Sequence, residues 1–435
     1  MLAYRAGKPL RVSQFLADVQ RVARALGPSR HILNACTDRY HFTVGFAATL
    51  LEDKVSLLPS THTPEMMRQL TAFAPDVMCL TDEADCSIEL PRIPYPLGAA
   101  STSGNGAADH AAVPQIDAAR TAAYVFTSGS TGTPVPYRKS FGRLIECVRE
   151  GAVRLGLNSG APCAIVATVP PQHMYGLESS VLLAMGNAHA LCAERPFYPA
   201  DIVAVLDALP RPRVLITTPV HLRALLASGV ALPHTDLIVS STAPLAQQLA
   251  LETEQRFEAR LLEIYGSTET GQIAVRRPTQ GPEWQLLPGV TLAAEGKTTW
   301  AQGGHIEQRS RMCDVLELSG TDHFLLHGRV SDLVNIAGKR SSLGYLNHQL
   351  NSIPGVEDGA FFHVEESRAS HTGVTRVAAC VVAPQLDAAR LLAALRERID
   401  AAFLPRPLLF VARLPRNSTG KLPQEALRSL AAADR

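Results

Sequence analysis

The chain has 435 residues, with 41 Lys and Arg against 40 Asp and Glu, so no net field favours nucleic acid or an anionic membrane surface. Hydrophobic residues make up 46% and charged residues 19%, which is typical of a globular protein and excludes disorder as the main state. No apolar run is long enough for a transmembrane segment, and residues 1–26 lack the apolar core of a signal peptide. The Cys residues form no Cys-x-x-Cys pair, which favours reduced thiols, no zinc site and a cytoplasmic protein.

Strand-like and helix-like segments alternate along the first part of the chain. The predicted strands are 31–36, 54–59 and 77–80, and the predicted helices are 13–26, with Ser13 as N-cap, 40–51 and 64–73. This alternation predicts a parallel α/β sheet. Residues 94–116 are rich in Pro, Gly, Ala, Ser and Asn, which predicts a linker or surface loop.

The alternation resumes after this loop and changes twice before the end of the chain. The later predicted strands are 122–126, 164–168, 214–218, 237–240 and 262–265. Residues 284–327 have a short, β-like pattern with Gly-rich turns, and the tail predicts strand 374–383, helix 387–403 and strand 408–414. The predicted fold is therefore a large α/β domain with a β-rich segment, followed by a small α+β domain.

A turn of small polar residues follows the predicted strand at 122–126. The sequence Thr-Ser-Gly-Ser-Thr-Gly-Thr-Pro occupies 127–134, and no Gly-Lys-Ser/Thr follows as it would in the common P-loop. Glycines let backbone N–H groups approach a phosphate, and hydroxyls add donors. An ordinary surface turn is the alternative for this loop by itself. The candidate phosphate-binding residues are Thr127, Ser128, Gly129, Ser130, Thr131 and Gly132.

This loop resembles the first signature of the acyl-adenylating superfamily, which includes acyl- and aryl-CoA synthetases, luciferases and the adenylation domains of peptide synthetases. The loop usually ends in Pro-Lys there, whereas Val135 takes the place of the Lys here and Lys139 follows without an assigned role. Further segments resemble the family's motifs in the family's order as far as Lys421. The resemblance implies a large N-terminal domain at 1–328 and a mobile C-terminal domain at 329–435 on a hinge.

The resemblance also implies roles for the nucleotide site. Tyr265 of the segment Ile-Tyr-Gly-Ser-Thr-Glu-Thr would face adenine, Thr268 would donate to the α-phosphate, and Glu269 would bind Mg²⁺. Asp314 would bind the ribose hydroxyls and Arg329 the ribose or phosphate. The remaining nucleotide-site candidates are Ser241, Thr242 and Ala243, in a turn beside adenine, and Gly266 and Ser267.

The last motifs concern the hinge and the catalytic lysine. Ser331 stands at the family's pivot, Gly338 resembles a glycine of the thiol tunnel, and Arg340 lies beside it. Lys421, in Ser-Thr-Gly-Lys, would neutralise the carboxylate and α-phosphate during adenylation. The C-terminal domain would then rotate and remove this lysine before the thiol reacts.

The chemistry that the resemblance implies is activation of a carboxylate by ATP and Mg²⁺ as an acyl-AMP, followed by transfer to the thiol of CoA or phosphopantetheine. His173 would lie near the carboxylate, and a neutral imidazole can hydrogen-bond an acid without adding a second anion. The residues expected to line an apolar acid pocket are His173, Tyr175, Gly176, Val220, Gly271 and Ile273. No acidic residue obviously awaits an α-ammonium group, which disfavours an amino acid.

The compressed stretch at 284–313 and the short N-terminal half resemble the small ligases of aryl-polyene and xanthomonadin-type pigment pathways. That resemblance implies a hydroxybenzoate-like acid and an acyl carrier protein as partner. The alternatives are a medium- or long-chain fatty acyl-CoA or acyl-AMP ligase, a catalytically degenerate nucleotide-binding protein, and a luciferase-like oxygenase that would share every motif.

Overall fold

A computed structural model describes residues 1–59, 61–97, 113–127, 135–296, 298–329, 333–336, 339–363, 376–416 and 422–433. The α-helices are α1 Val12–Ala25, α2 Arg39–Leu51, α3 Pro64–Phe73, α4 Phe141–Leu155, α5 Met174–Gly176, α6 Leu183–Gly186, α7 Pro199–Asp207, α8 Pro219–Ala227, α9 Gln247–Phe257, α10 Leu343–Asn351, α11 Ala388–Arg396 and α12 Gln424–Ala433. A π-helical turn, Leu177–Leu182, joins α5 to α6, and a 3₁₀ turn covers Ala401–Phe403.

The first strands are β1 Ala3–Arg5, β2 Lys8–Leu10, β3 His31–Asn34, β4 Val55–Leu58, β5 Met78–Thr81, β6 Arg92–Pro94, β7 Thr121–Thr127, β8 Val135–Ser140, β9 Ala164–Ala167, β10 Ala190–Cys192, β11 Arg213–Thr217 and β12 Leu237–Ser240. The later strands are β13 Arg260–Ser267, β14 Gly271–Arg276, β15 Trp284–Leu286, β16 Val290–Glu295, β17 Thr298–Gly303, β18 Ser310–Arg311, β19 Asp314–Ser319, β20 His323–Arg329, β21 Leu333–Ile336, β22 Lys339–Ser342, β23 Asp358–His363, β24 Val377–Val382 and β25 Leu408–Phe410.

Two large sheets carry most of the chain. Across the described residues, one has eleven strands in the order β19-β20-β15-β14-β13-β12-β11-β9-β10-β1-β2, and the other has six in the order β6-β5-β3-β4-β7-β8. Strands β9 to β13 pair in parallel within the first sheet, and β3 to β7 pair in parallel within the second. Several of these parallel strands have an apolar, fully buried middle because both faces are covered, as in Val-Leu-Ile of β11.

Helix α3 shows how the local sequence sets an element. Thr63 caps the helix by accepting a hydrogen bond from the Met66 N–H at 3.4 Å, and Pro64 occupies the first turn, where no N–H partner is needed. Met66, Met67 and Leu70 are buried against β3 and β5 residues in one core cluster. The prediction of a helix at 64–73 is confirmed.

Two local predictions are wrong at their boundaries. Helix α1 begins at Val12 after an extended Arg11 that makes no side-chain cap, so Ser13 lies inside the helix rather than capping it. The helix predicted at 387–403 ends at Arg396, because the Asp400 carboxylate accepts from the Ala402 N–H at 3.0 Å and starts a separate 3₁₀ turn. Asp387 likewise caps the start of α11 by accepting from the Arg390 N–H at 2.8 Å, so a capping side chain begins each of the two helical pieces.

A smaller unit follows the large sheets. Strands β23, β24 and β25 form a three-stranded sheet, and α10 and α11 pack on it around Leu346, Phe361 and Leu391. The fold class is confirmed as α/β with a small α+β unit at the C-terminal end. In the part of the chain that the structure describes, no helix is long and apolar enough to cross a membrane.

Candidate active site

The parallel strands of the eleven-stranded sheet end at one edge, where ligands of open α/β sheets bind. Side chains tie neighbouring strand ends together there: Thr168 after β9 and Thr217 of β11 bring their hydroxyls within 3.0 Å. The Ser241 hydroxyl donates to the Ile264 carbonyl at 2.9 Å and so joins the end of β12 to β13. Three candidate segments, those of His173, Ser241 and Thr268, therefore follow strands at the same edge.

Tyr175 shows how this edge is held. Its hydroxyl donates to the carbonyl of Thr217 at 3.0 Å and is within 2.9 Å of the carbonyl of Val239, at the ends of β11 and β12. Burial raises the pKa of Tyr175 well above its ordinary value, so the phenol stays neutral. Tyr175 thus fixes the short helix α5, which His173 precedes as the N-cap residue.

The turn after β13 carries Thr268 and Glu269. At its base, the Ser267 and Thr270 hydroxyls are 3.1 Å apart, and the Thr270 N–H donates to the Ser267 hydroxyl at 3.2 Å. At its tip, the ammonium of Lys139 donates to the Glu269 carbonyl at 2.8 Å. The main chain of this turn is therefore fixed from two sides.

Gly266 is required where β13 bulges beside β14. A Cβ at this position would lie 2.3 Å from the Gly271 carbonyl oxygen, which is far closer than real Cβ contacts. The register of the pair shifts between Tyr265 and Gly266. A glycine at 266 thus makes room for the close pairing of β13 with β14 just before the turn.

Tyr265 and Asp314 meet although 49 residues separate them. The Tyr265 hydroxyl donates to the Asp314 carboxylate, and the Tyr265 ring packs against Trp284 and Phe324 at centroid distances of 5.5 and 5.6 Å. In the pair of β19 and β20, Asp314 lies opposite Arg329. The structure thus brings together three of the residues predicted for the nucleoside.

Thr242 has a backbone conformation that favours glycine. Its φ is +78°, and a β-branched residue in this region is strained. Ser241, Thr242 and Ala243 are all half-buried at the strand edge. The turn predicted to lie beside adenine is therefore a strained one, which is a common property of ligand-binding turns.

The residues predicted for the acid pocket divide into two groups. His173 and Val220 are half-buried near the strand edge, whereas Ile273 is fully buried in the main core. Gly176 packs so closely that a Cβ would lie 1.9 Å from the Pro170 carbonyl oxygen. Gly271 begins β14, and a Cβ on it would lie 2.6 Å from a carboxylate oxygen of Glu178.

Glu178 is a buried acid that sequence reasoning missed. It lies in the π-helical turn, is 3% exposed, and accepts from the Cys147 thiol at 3.3 Å and the Gln272 N–H at 3.2 Å. Burial raises its pKa to about 7, opposed by the attraction of Lys139. The sequence predicts an apolar pocket around Gly271, whereas the structure places the buried carboxyl of Glu178 beside it. The one sequence signal for this acid is a charged residue within the run Leu-Glu-Ser-Ser-Val-Leu-Leu.

The donor set of the turn fits Mg²⁺. Within the described ranges, no group of three His, Cys, Asp or Glu side chains is placed to hold a metal. A cation bound at the half-buried Glu269 would therefore take most ligands from phosphate and water, which is the pattern that Mg²⁺ prefers.

Several predicted residues lie outside the described residues or are described by backbone alone. Those described by backbone alone are Thr127 in β7, Arg329 in β20 and Arg340 in β22. Those outside are Ser128, Gly129, Ser130, Thr131, Gly132, Ser331, Gly338 and Lys421.

Comparison with known proteins identifies the family. Residues 23–297 match the family model described as "AMP-binding enzyme". The chain belongs to this family. It is an AMP-forming acid–thiol ligase of the acyl-adenylating superfamily, as the ordered motifs predict.

This AMP-binding enzyme has relatives named as ligases of aromatic acids. A 4-coumarate–CoA ligase of Rhodobacter capsulatus is 31% identical over 69% of this chain and 75% of its own. A 3-hydroxybenzoate–CoA ligase of an Aromatoleum species is 26% identical over 72% of this chain and 66% of its own. The crystal structure of ATP-bound MatB from Rhodopseudomonas palustris has the same fold, with a TM-score of 0.80 at 20% identity, over 99% of this chain and 95% of that one.

Proposed function

We propose that this enzyme activates an aromatic, hydroxybenzoate-like acid as its acyl-AMP and passes the acyl group to the thiol of CoA or of a phosphopantetheine arm on an acyl carrier protein. The observation that carries the first step is the convergence of the Thr268–Glu269 turn, the Tyr265–Asp314 pair and the His173 segment at one strand edge. The aromatic assignment is supported by the names of the relatives, which act on 4-coumarate and 3-hydroxybenzoate.

The first step must bring two anions together. A carboxylate oxygen attacks the α-phosphorus of ATP, the bond to the β-phosphate oxygen breaks, and pyrophosphate leaves. Mg²⁺ would neutralise part of the phosphate charge when bound. On the protein side, Thr268 donates to the α-phosphate, His173 orients the acid, and Lys421 neutralises the charge that builds between them, which is electrostatic stabilisation by preorganised donors.

The second step needs different surroundings. The sulfur of the thiol attacks the acyl carbonyl carbon, the bond to the AMP oxygen breaks, and the thiol proton passes to solvent. Lys421 would hinder this attack if it stayed beside the carbonyl. We therefore assign residues 329–435 to a domain that rotates about Ser331 between the two steps and brings Gly338 and Arg340 to the thiol tunnel.

Pyrophosphate release from MgATP would be measured against benzoate, 3- and 4-hydroxybenzoate, 4-coumarate, octanoate, palmitate and phenylalanine. Release confined to the aromatic acids supports the proposal. Release with octanoate or palmitate instead would assign the protein to the fatty-acid ligases, and release with phenylalanine alone would overturn the aromatic-acid assignment. With the active acid, CoA and a carrier protein bearing phosphopantetheine are then compared as acceptors.

A further inference from the structure

Lys139 lies on β8, the strand that follows the candidate phosphate loop at 127–134. β8 pairs antiparallel with β7 at the edge of the six-stranded sheet, where Lys139 lies opposite Ala123. Lys139 is only 5% exposed, although its neighbours Tyr137 and Arg138 are more open to solvent. A lysine on an edge strand usually points into water, so burial here needs a reason.

The ammonium of Lys139 reaches the other large sheet. It donates to the main-chain carbonyl of Glu269 at 2.8 Å, across 130 residues of sequence. Because β7 and β8 flank the candidate phosphate loop and the 267–270 turn follows β13, this contact joins two elements that would hold the same triphosphate. Among the described residues, the hydrogen bonds of the Ser267 and Thr270 side chains stay within 267–271 and do not reach the six-stranded sheet.

This arrangement is a poor way to gain stability. Burial disfavours the charged ammonium and lowers the pKa of Lys139, and the attraction of Glu178 opposes that shift. Its described hydrogen-bond partner is a single neutral carbonyl, so the nearby carboxyl of Glu178 offsets only part of the cost of burying the charge. A position selected for packing alone would therefore favour an unbranched apolar residue.

Little empty space lies beside the buried Lys139 side chain. A cavity of about 10 Å³ lies between Lys139, Cys147, Glu178 and Thr270. That volume is about the space of one water molecule. His305 closes the same cavity, is 4% exposed, and has its pKa lowered to about 4 by burial, so it adds no second cation near pH 7. The lysine that contacts Glu269 therefore lies beside a cavity with room for about one water molecule.

We propose that Lys139 is a positioning residue for adenylation. It fixes the main chain at Glu269 relative to the strand that leaves the phosphate loop, so that the Thr268 hydroxyl and the Glu269 carboxylate meet the same triphosphate and cation. This inference rests on the proposed roles of Thr268 and Glu269. Lys139 touches the turn and not the reacting atoms, so its effect reaches the chemistry through geometry, where a shift of about 1 Å costs roughly a hundredfold in rate.

The test compares Lys139→Met with Arg138→Met. Arg138 is the adjacent cation on β8, 46% exposed, and it contacts Thr121, Ala119 and Glu307 but not the turn. We expect Lys139→Met to lower pyrophosphate release by about tenfold to a hundredfold and to raise the Mg²⁺ concentration for half-maximal rate. In Lys139→Met, the KM for the acid should stay near the wild-type value, and so should the rate of thioester formation from supplied acyl-AMP. Arg138→Met should leave these two quantities, the rate of pyrophosphate release and the Mg²⁺ dependence near wild type.

Two further measurements keep the test independent of folding and of turnover. Calorimetric titration of ATP with Mg²⁺ and with EDTA should show weaker binding by Lys139→Met only when Mg²⁺ is present, and Lys139→Arg should restore part of it. Lys139→Met/Glu178→Gln removes both buried charges and should keep the same defect. Equal loss of both half-reactions in Lys139→Met, or an unchanged Mg²⁺ response, would overturn the proposal for Lys139. Absence of turnover by the wild type with every acid would instead overturn the proposed function, and the calorimetric titration would then remain as the test of Lys139.

Discussion

Arg39 and Lys139 are both buried cations, yet their partners differ. Arg39 on α2 is fully buried and donates to the Ser180 hydroxyl at 2.6 Å and to the carbonyls of Ala167 and Val169 at 2.8 Å each. Its planar guanidinium thus serves three fixed acceptors in the core. Lys139 has its described contact on a turn at the candidate site. The location of the hydrogen-bond partner, rather than the depth of burial, distinguishes a cation that stabilises the core from one that we propose positions the turn at the candidate site.

The largest expected effect is on stability, at Arg39. Arg39→Met should lower the free energy of unfolding by about 3–5 kcal/mol, because three buried acceptors lose a charged donor. Denaturant unfolding measures this. Arg68→Met is the control: its ion pair with Glu65 is exposed, at 69% and 60%, and such pairs contribute about 1 kcal/mol or less. Similar losses in the two variants would mean that Arg39 is not a structural cation.

Lys421 extends the comparison to a cation expected to act on chemistry alone. Lys421→Ala should lower pyrophosphate release by about 10²–10³, or about 2.7–4 kcal/mol of transition-state stabilisation. Thioester formation from supplied acyl-AMP should persist, because the proposed domain rotation would withdraw the lysine before that step. Arg413→Ala, an exposed cation of the same segment, serves as the control. A parallel loss of both half-reactions would contradict the assignment.

Glu178, a buried acid close to Lys139, should make the free energy of unfolding depend on pH. Burial raises its pKa from 4.5 to about 7, while Lys139, the Cys147 thiol and the Gln272 N–H oppose the shift. Between these two values the unfolded chain loses this proton and the folded chain keeps it, so wild-type stability falls as pH rises through that window. Relative to Glu178→Gln, the loss should be on the order of 3 kcal/mol, complete above pH 7 and absent below pH 4.5.

Unfolding measured from pH 4 to pH 8 in both proteins isolates this contribution, since the other titrating groups are shared. A constant difference between the two proteins across the range would show that Glu178 does not change its protonation state there. A wild type that loses stability relative to Glu178→Gln as pH falls would reverse the sign and would mean that the carboxylate is stabilised as an anion.

The smallest effect is expected at Tyr265. Tyr265→Phe removes the hydroxyl that donates to Asp314 but keeps the ring against Trp284 and Phe324. The KM for ATP should rise about fivefold, for a loss of about 1 kcal/mol. Tyr40→Phe is the matched control, because it removes a similar Tyr–Asp hydrogen bond, of 2.7 Å to Asp18, on α2. Equal KM values for the two variants would argue against a nucleotide role for Asp314.

The sequence predicts best the features that depend on interactions between residues close to one another in the chain. Helix α3 follows from its cap and apolar face, and the alternation of strands and helices predicts the α/β class, both of which are confirmed. The contact of Lys139 with Glu269 could not be predicted, because it joins two sheets across 130 residues and β8 carries no periodic signal for a buried lysine. Glu178 likewise depends on the approach of Gly271, which only the tertiary fold fixes.

The central claim is that this chain joins a carboxylate to AMP before any thiol takes part. Exchange of labelled pyrophosphate into ATP, with Mg²⁺ and 3-hydroxybenzoate but without CoA or carrier protein, tests it most directly. The exchange should require the acid, should not require a thiol and should fall by about 10²–10³ in Lys421→Ala. Exchange that is independent of an acid, or release of ADP and phosphate in place of AMP and pyrophosphate, would contradict it.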